Sequence, residues 1–329
     1  MKILLMTLKK RIERFSDLAA IPESWELVFA DFETDTRKLL TIGGDADVIF
    51  ADAMQPVRKK LIDAMSHLKM IQSEGVGYDW IDIRAAKEKG VFVCNNAAAN
   101  SKAVAEQAVL LMLAVLRRTV EGDRMVREAR QIEAKSNWSL EGIRELWNCH
   151  VGIIGMGAIG QETAGRLKGF EAKVSYYSRH RLPEEREREL RADYLPLNEL
   201  LSTCDIISLH LPSNAETKNF INLDRLCLMK KSSVLINTAR GEVVDQDDLI
   251  VALKEGLIAG AGLDTISPEP VRPDNALLHL PEEISERITF SPHIGGVTEQ
   301  AFKQMHTFAW TNIRRVDEGK RPENIVNGL

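Results

Sequence analysis

An α/β fold built from two doubly wound parallel sheets is predicted for this chain, on three observations. Short apolar or β-branched runs alternate with longer helix-patterned stretches from end to end. The alternation pauses near residue 100 and restarts after Leu146. At the restart, a glycine-rich turn stands between a strand pattern and a helix pattern. The length agrees, because 329 residues exceed one ordinary domain core and two domains are the natural expectation.

In the first hundred residues the strand patterns are 2–8, 26–29, 47–50, 69–72 and 91–94. The stretch 102–118, KAVAEQAVLLMLAVLRR, has no Gly or Pro and predicts a long, largely buried helix. Its apolar side suits burial within one chain or a contact between two. The charged segment 121–147, which contains two Trp, reads as a connecting or packing extension. Strand patterns then recur at 151–154, 173–177, 205–209, 233–237, 260–263 and 288–290. Two Rossmann-like units result.

Composition narrows the function classes. With 44% hydrophobic and 28% charged residues the chain reads as a soluble globular protein, and a net charge of −5 offers no nucleic-acid surface. The opening MKILLMTL is too short for a signal peptide or a membrane span and runs into KKRIER, so a cytoplasmic protein without a membrane partner is expected. Cys94, Cys149, Cys204 and Cys227 form no CxxC pair. Those in VFVC, LLSTCDII and RLCLM sit in apolar runs and are expected as buried reduced thiols; no metal site is expected.

The glycine turn is Gly155-Met156-Gly157-Ala158-Ile159-Gly160, a G-x-G-x-x-G in the strand–turn–helix setting of a dinucleotide site. Gly155 makes the turn, Gly157 removes a side chain where a pyrophosphate approaches, and Gly160 lets helix pack on strand. The helix start offers N–H groups to phosphate. An NAD site usually carries an acid at the end of the next strand, to hold the adenine-ribose hydroxyl. Here that strand ends in Ser178, Arg179, His180 and Arg181. These suit a 2′-phosphate, hence NADP(H) over NAD(H), and the other reading is solvated surface cations.

Ligands of open α/β sheets sit beyond the carboxyl ends of the strands. Standing there are His210-Leu211-Pro212 with Thr217, Thr238-Ala239-Arg240, Asp264, Glu269, and His293 with Gly295. Reducing a 2-oxo acid requires a cation to hold the carboxylate and polarise the ketone, and an acid to protonate the nascent alkoxide. Arg240 suits the first role through its permanent charge and planar fork. His293 suits the second, and a bond from Glu269 would orient its ring and favour the imidazolium.

GMGAIG, HLP with Thr217, NTARG, LDTISPEP and SPHIGG, in this order, resemble the D-isomer-specific 2-hydroxyacid dehydrogenases. LKMIQSEGVGYDWID (68–82) and NNAAANSKAVAEQAVLLML (95–113) extend the resemblance over most of the chain. It implies Arg240, Glu269 and His293 as a catalytic trio and Asp264 near the nicotinamide. It also implies a flavodoxin-like substrate domain, 1–100 with 296–329, and an NAD(P)-binding domain, 101–295, with the helix at 102–118 serving as hinge and homodimer contact. The substrate carboxylate would be held by backbone N–H groups of Gly75-Val76-Gly77; an ordinary strand-to-helix turn is the alternative reading. The absent acid resembles the NADP-preferring glyoxylate and hydroxypyruvate reductase branch. Alternatives are a phosphoglycerate-dehydrogenase-like NAD enzyme and a non-catalytic, NAD(P)-sensing corepressor-like protein. Trp138 reads either as a pocket residue or as packing in the connection.

Overall fold

The computed structural model describes residues 1–329, which divide into two compact units: 1–100 with 297–329, and 101–296. In the first, strands β1 (Lys2–Met6), β2 (Glu26–Phe29), β3 (Val48–Ala51), β4 (Met70–Ser73) and β5 (Phe92–Cys94) form one parallel sheet in the order β2-β1-β3-β4-β5. Alternation along β1 sends Ile3 and Leu5 to one face and Leu4 and Met6 to the other, each into its own apolar core. The core on the Ile3 side is closed by Ala309, Trp310 and Ile313 of the helix Glu299–Asp317. The chain then returns to β5, where Asn327 Oδ1 accepts from Val93 N and its Nδ2 donates to Val91 O.

The second unit holds β6 (His150–Ile154), β7 (Lys173–Tyr177), β8 (Ala192–Tyr194), β9 (Ile206–Leu209), β10 (Val234–Asn237), β11 (Gly260–Leu263) and β12 (Ile288–Phe290). All neighbours pair in parallel, in the order β12-β11-β10-β9-β6-β7-β8. β9, β10 and β11 are wholly buried, as the near-continuous apolar runs of a sheet covered on both faces require. Gly262 permits the close approach of the helix Ser101–Leu116, since a Cβ there would lie 3.0 Å from Leu111 Cβ. The order reverses between β6 and β9, which is where ligands of such sheets bind.

Three departures from expectation have simple causes. β8 is only three residues long with a charged residue, Asp193, at its centre, and is a strand only because β7 pairs with it. The segment after residue 118 folds into the helices Thr119–Arg127 and Gln131–Glu141. Cys227 is exposed despite its apolar surroundings, because the helix Leu223–Leu228 turns Leu226 inward instead; Cys149, in a polar stretch, is buried. Burial pushes the Cys94 thiol up to about 12 and Cys204 to about 11, so both are inert.

Candidate active site

β6 delivers the chain to Gly155 at φ +98°, where a Cβ would stand 2.4 Å from the carbonyl of His210 at the end of β9. Gly160 passes equally close to the backbone: its Cβ would lie 2.2 Å from Gly155 O. Gly157 faces open space and precedes the helix Ala158–Gly169 with no side-chain cap, so the first-turn N–H groups remain available to an anion. Met156 is buried beneath the turn, Ala158 is exposed and Ile159 half-buried.

Two further groups suit a bound dinucleotide. The Nδ1 of His210 is buried without a partner in the chain, while its Nε2 lies 2.9 Å from Ser208 Oγ. Burial pushes this imidazole down to about 4, so it is neutral at pH 7. Thr238 Oγ1 is likewise buried and unpartnered. The Leu211-Pro212 turn is tied by Thr217 Oγ1, which donates to Pro212 O at 2.6 Å. An orphaned donor–acceptor pair, an open glycine and an uncapped helix start together fit a nicotinamide dinucleotide.

After β7, the fold adds two carboxylates that the local sequence does not show. Arg179 pairs with Glu216 at 2.8 Å, both side chains being more than two-thirds exposed. Arg181 forks onto Glu187 at 2.8 and 2.9 Å, and Tyr176 Oη donates to the same carboxylate at 2.6 Å. The bonds from Arg181 and Tyr176 hold Glu187 down at about 2. Ser178 is half-buried and His180 exposed.

At the end of β10, Asn237 pins the next turn with its side chain. Its Oδ1 accepts from Ala239 N at 3.0 Å and its Nδ2 donates to Arg240 O at 2.9 Å. Arg240 NH1 donates to Ala239 O. Gly241 follows because a Cβ would meet Ser267 N at 2.4 Å.

The end of β12 carries His293 at φ +53°, with Nδ1 2.5 Å from Glu269 Oε1. A carboxylate only accepts, so Nδ1 carries the proton in this bond and Nε2 is the nitrogen free for other work. Each side chain is about 30% exposed (31% and 27%), open enough for a ligand yet held. Asp264 and Gly295 serve this turn. The Asp264 carboxylate accepts from Ile294 N at 3.0 Å, Gly295 N at 2.9 Å and Ser291 Oγ at 2.5 Å, and its carbonyl accepts from His293 N. Gln107 of the long helix donates to Ser291 Oγ at 2.9 Å, extending the support. Gln107 and Ser291 lie in stretches that the sequence singles out, but no local signal pairs them; only the folded register joins them.

In the first unit, Gly75-Val76-Gly77 follows β4 with every carbonyl turned inward. Asn96 N donates to Gly75 O, Asn95 Nδ2 to Val76 O at 2.7 Å and Ser73 Oγ to Gly77 O at 2.6 Å. No acceptor in the chain meets the N–H groups of Val76 and Gly77, which is the polarity an anion needs. Trp138 packs within the second unit, over Gly122 and under the Arg118 guanidinium. No three His, Cys, Asp or Glu side chains come close enough to hold a metal, and no helix is long and apolar enough to cross a membrane.

Residues 109–295 match the family described as D-isomer specific 2-hydroxyacid dehydrogenase, NAD binding domain. Over 312 residues the chain is 36% identical to the glyoxylate reductase of Korarchaeum cryptofilum, covering 94% of this chain and 92% of that one. It is 39% identical over 293 residues to the glyoxylate reductase of Thermococcus litoralis, covering 86% and 84%. Among solved structures, a glyoxylate reductase from Paecilomyes thermophila superposes with a TM-score of 0.82 at 29% identity, covering 99% and 98%.

Proposed function

Since the chain belongs to the D-isomer-specific 2-hydroxyacid dehydrogenases and is an NAD(P)-dependent oxidoreductase acting on CH–OH groups, we propose that it reduces a small 2-oxo acid of the glyoxylate or hydroxypyruvate kind, with NADP(H) preferred. The observation that carries this reading is the Glu269–His293 pair, fixed at a strand end in the unit that holds the glycine loop. When bound, the nicotinamide supplies the hydride. His293 releases its Nε2 proton to the alkoxide oxygen, and Glu269 steadies the ring in both charge states. Arg240 contributes a permanent positive charge for the substrate carboxylate and developing oxyanion, and the N–H groups of Val76 and Gly77 hold the carboxylate. The names of the relatives support the substrate class.

Arg179 is the cation best placed for a 2′-phosphate. Its pair with Glu216 is solvated and inexpensive to open, whereas Arg181 is committed to Glu187 by two bonds. Glu216 is also the observation that favours a second reading, NAD(H), because a carboxylate there repels phosphate and can accept from a ribose hydroxyl. The test is kcat/KM for NADPH and NADH with hydroxypyruvate as common acceptor. An NADPH preference of about tenfold or more supports the phosphate pocket, and an NADH preference transfers the assignment to NAD(H).

A homodimer accompanies this reading. Leu110, Val120, Val126, Ile132, Leu140 and Trp147 expose apolar side chains along one continuous stretch of the second unit. Light scattering should give twice the chain mass, and a monomer overturns the assembly.

A further inference from the structure

The first unit encloses ionisable side chains for which the reaction above has no use. Glu74, immediately before the Gly75-Val76-Gly77 turn, is 2% exposed, and His306 of the C-terminal helix is fully buried. Glu74 Oε1 lies 2.9 Å from His306 Nε2, while Oε2 accepts from Thr7 Oγ1 at 3.0 Å and from Arg11 at 2.5 Å. Behind His306, Nδ1 lies 2.8 Å from Ser16 Oγ, which accepts from Trp310 Nε1 at 2.8 Å. Phe15, Phe50 and Phe302 stand edge-on around the imidazole.

This placement works against simple expectations. A carboxylate buried away from water is costly, and one at the root of an anion-binding turn would repel the anion unless neutralised. Here both oxygens are taken, one donor being a guanidinium. What the arrangement provides in return is position. The Glu74 backbone is held as well, its N–H by Ala51 O at 2.7 Å and its carbonyl by Asn96 Nδ2 at 2.7 Å. The end of β1, the helix Lys9–Phe15, the helix Glu299–Asp317 and Asn96 beyond the end of β5 therefore all fix the head of the turn. The carbonyls that follow have no freedom to rotate, so the Val76 and Gly77 N–H groups keep their direction.

We propose that Glu74, acting through His306, Arg11 and Thr7, is a positioning residue that aims the Val76 and Gly77 N–H groups at the substrate carboxylate. The proposal rests on the reading of that turn as the carboxylate holder. A misdirected pair of N–H groups weakens binding of the 2-oxo acid while leaving the cofactor loop, in the other unit, intact.

The experiment compares wild type, Glu74→Ala, Glu74→Gln and His306→Phe by kcat and KM for glyoxylate and hydroxypyruvate, and by fluorescence-titrated Kd for NADPH and NADH. Glu74→Ala should raise KM about tenfold or more with kcat and cofactor Kd within about threefold, and Glu74→Gln, which keeps the shape and one acceptor oxygen for Thr7 and Arg11 and turns its NH2 to His306 Nε2, should recover most of it. His306→Phe removes one donor with a ring of similar size and should raise KM about fivefold; it decides the matter if Glu74→Ala fails to fold. Unchanged KM in the folded variants overturns the positioning role. Parallel loss of cofactor affinity also overturns it, since the effect would then be general. A wild type that neither reduces these acids nor binds oxalate overturns the reading of the turn itself, a different failure from variants that match an active wild type.

Discussion

The chain contains two Glu–His pairs, and the same two side chains do different work in each. Glu269–His293 is closer, 2.5 against 2.9 Å, yet each partner is about 30% exposed (27% and 31%). Glu74–His306 is sealed, with 2% and 0% exposure, and every polar atom of the pair has a partner. An imidazole that must give and regain a proton needs one nitrogen open to a ligand, which only the first pair offers. A buried, fully bonded pair serves as a fixed point. Exposure of one nitrogen, more than the length of the bond, separates a working acid from a clamp.

The sharpest break comes from His293→Ala. Turnover should fall by roughly 10²- to 10⁴-fold with cofactor Kd unchanged, as expected when a proton donor is lost. Single-turnover kinetics with hydroxypyruvate and a fluorescence titration check both halves, and retained turnover removes His293 from the chemistry. On the other side, Glu74→Ala should leave His306 Nε2 facing a void and Arg11 with Asp52 as its remaining carboxylate, and cost about 1–3 kcal/mol, the usual penalty for a buried polar group left unpaired, read as a lower urea midpoint.

Acid sharpens the contrast. Burial alone pushes the Glu74 carboxyl up, but the bonds from His306 and Arg11 outweigh it and hold it below the usual range. A depressed carboxyl contributes stability above its unfolded value, about 4.3, and loses it as pH falls through the folded value. Stability of the wild type should therefore drop below about pH 4 more steeply than that of Glu74→Gln. Equal slopes would show that the pair carries no such linkage. Glu269→Gln is milder still in stability but should lower kcat about tenfold by leaving the ring less well oriented, with the KM for cofactor unchanged.

The two pairs were also unequally legible. Glu269 and His293 lie 24 positions apart, in motifs that stand at successive strand ends and resemble a known family. Glu74 and His306 are 232 apart, one in a loop and one on a helix whose pattern shows only an apolar face. No local signal joins them. The parallel sheets were readable because buried strands need continuous apolar runs, and β8 was not, because pairing with β7 alone makes it a strand. Cys227 shows the same limit: apolar neighbours imply burial only until helical phase decides which of them faces inward.

Glu216 is a third case, and it supplies the smallest effect. The absence of an acid after β7 is a statement about chain order, whereas the pocket is a statement about space, and there a carboxylate reaches Arg179 from the segment after β9. The pair is exposed on both sides, so it is worth about 0.2–1 kcal/mol at most. A 2′-phosphate taking Arg179 has to displace Glu216 and then tolerate it nearby, while a ribose hydroxyl has no such cost. Glu216→Gln should therefore raise kcat/KM for NADPH relative to NADH by roughly two- to fivefold, less at high salt, and leave the turnover of 2-oxo acid at saturating cofactor unchanged. Arg179→Ala should move the same ratio the other way. If neither substitution moves it, Arg179 and Glu216 form a solvated surface pair, and cofactor choice rests on Ser178 and the backbone around it.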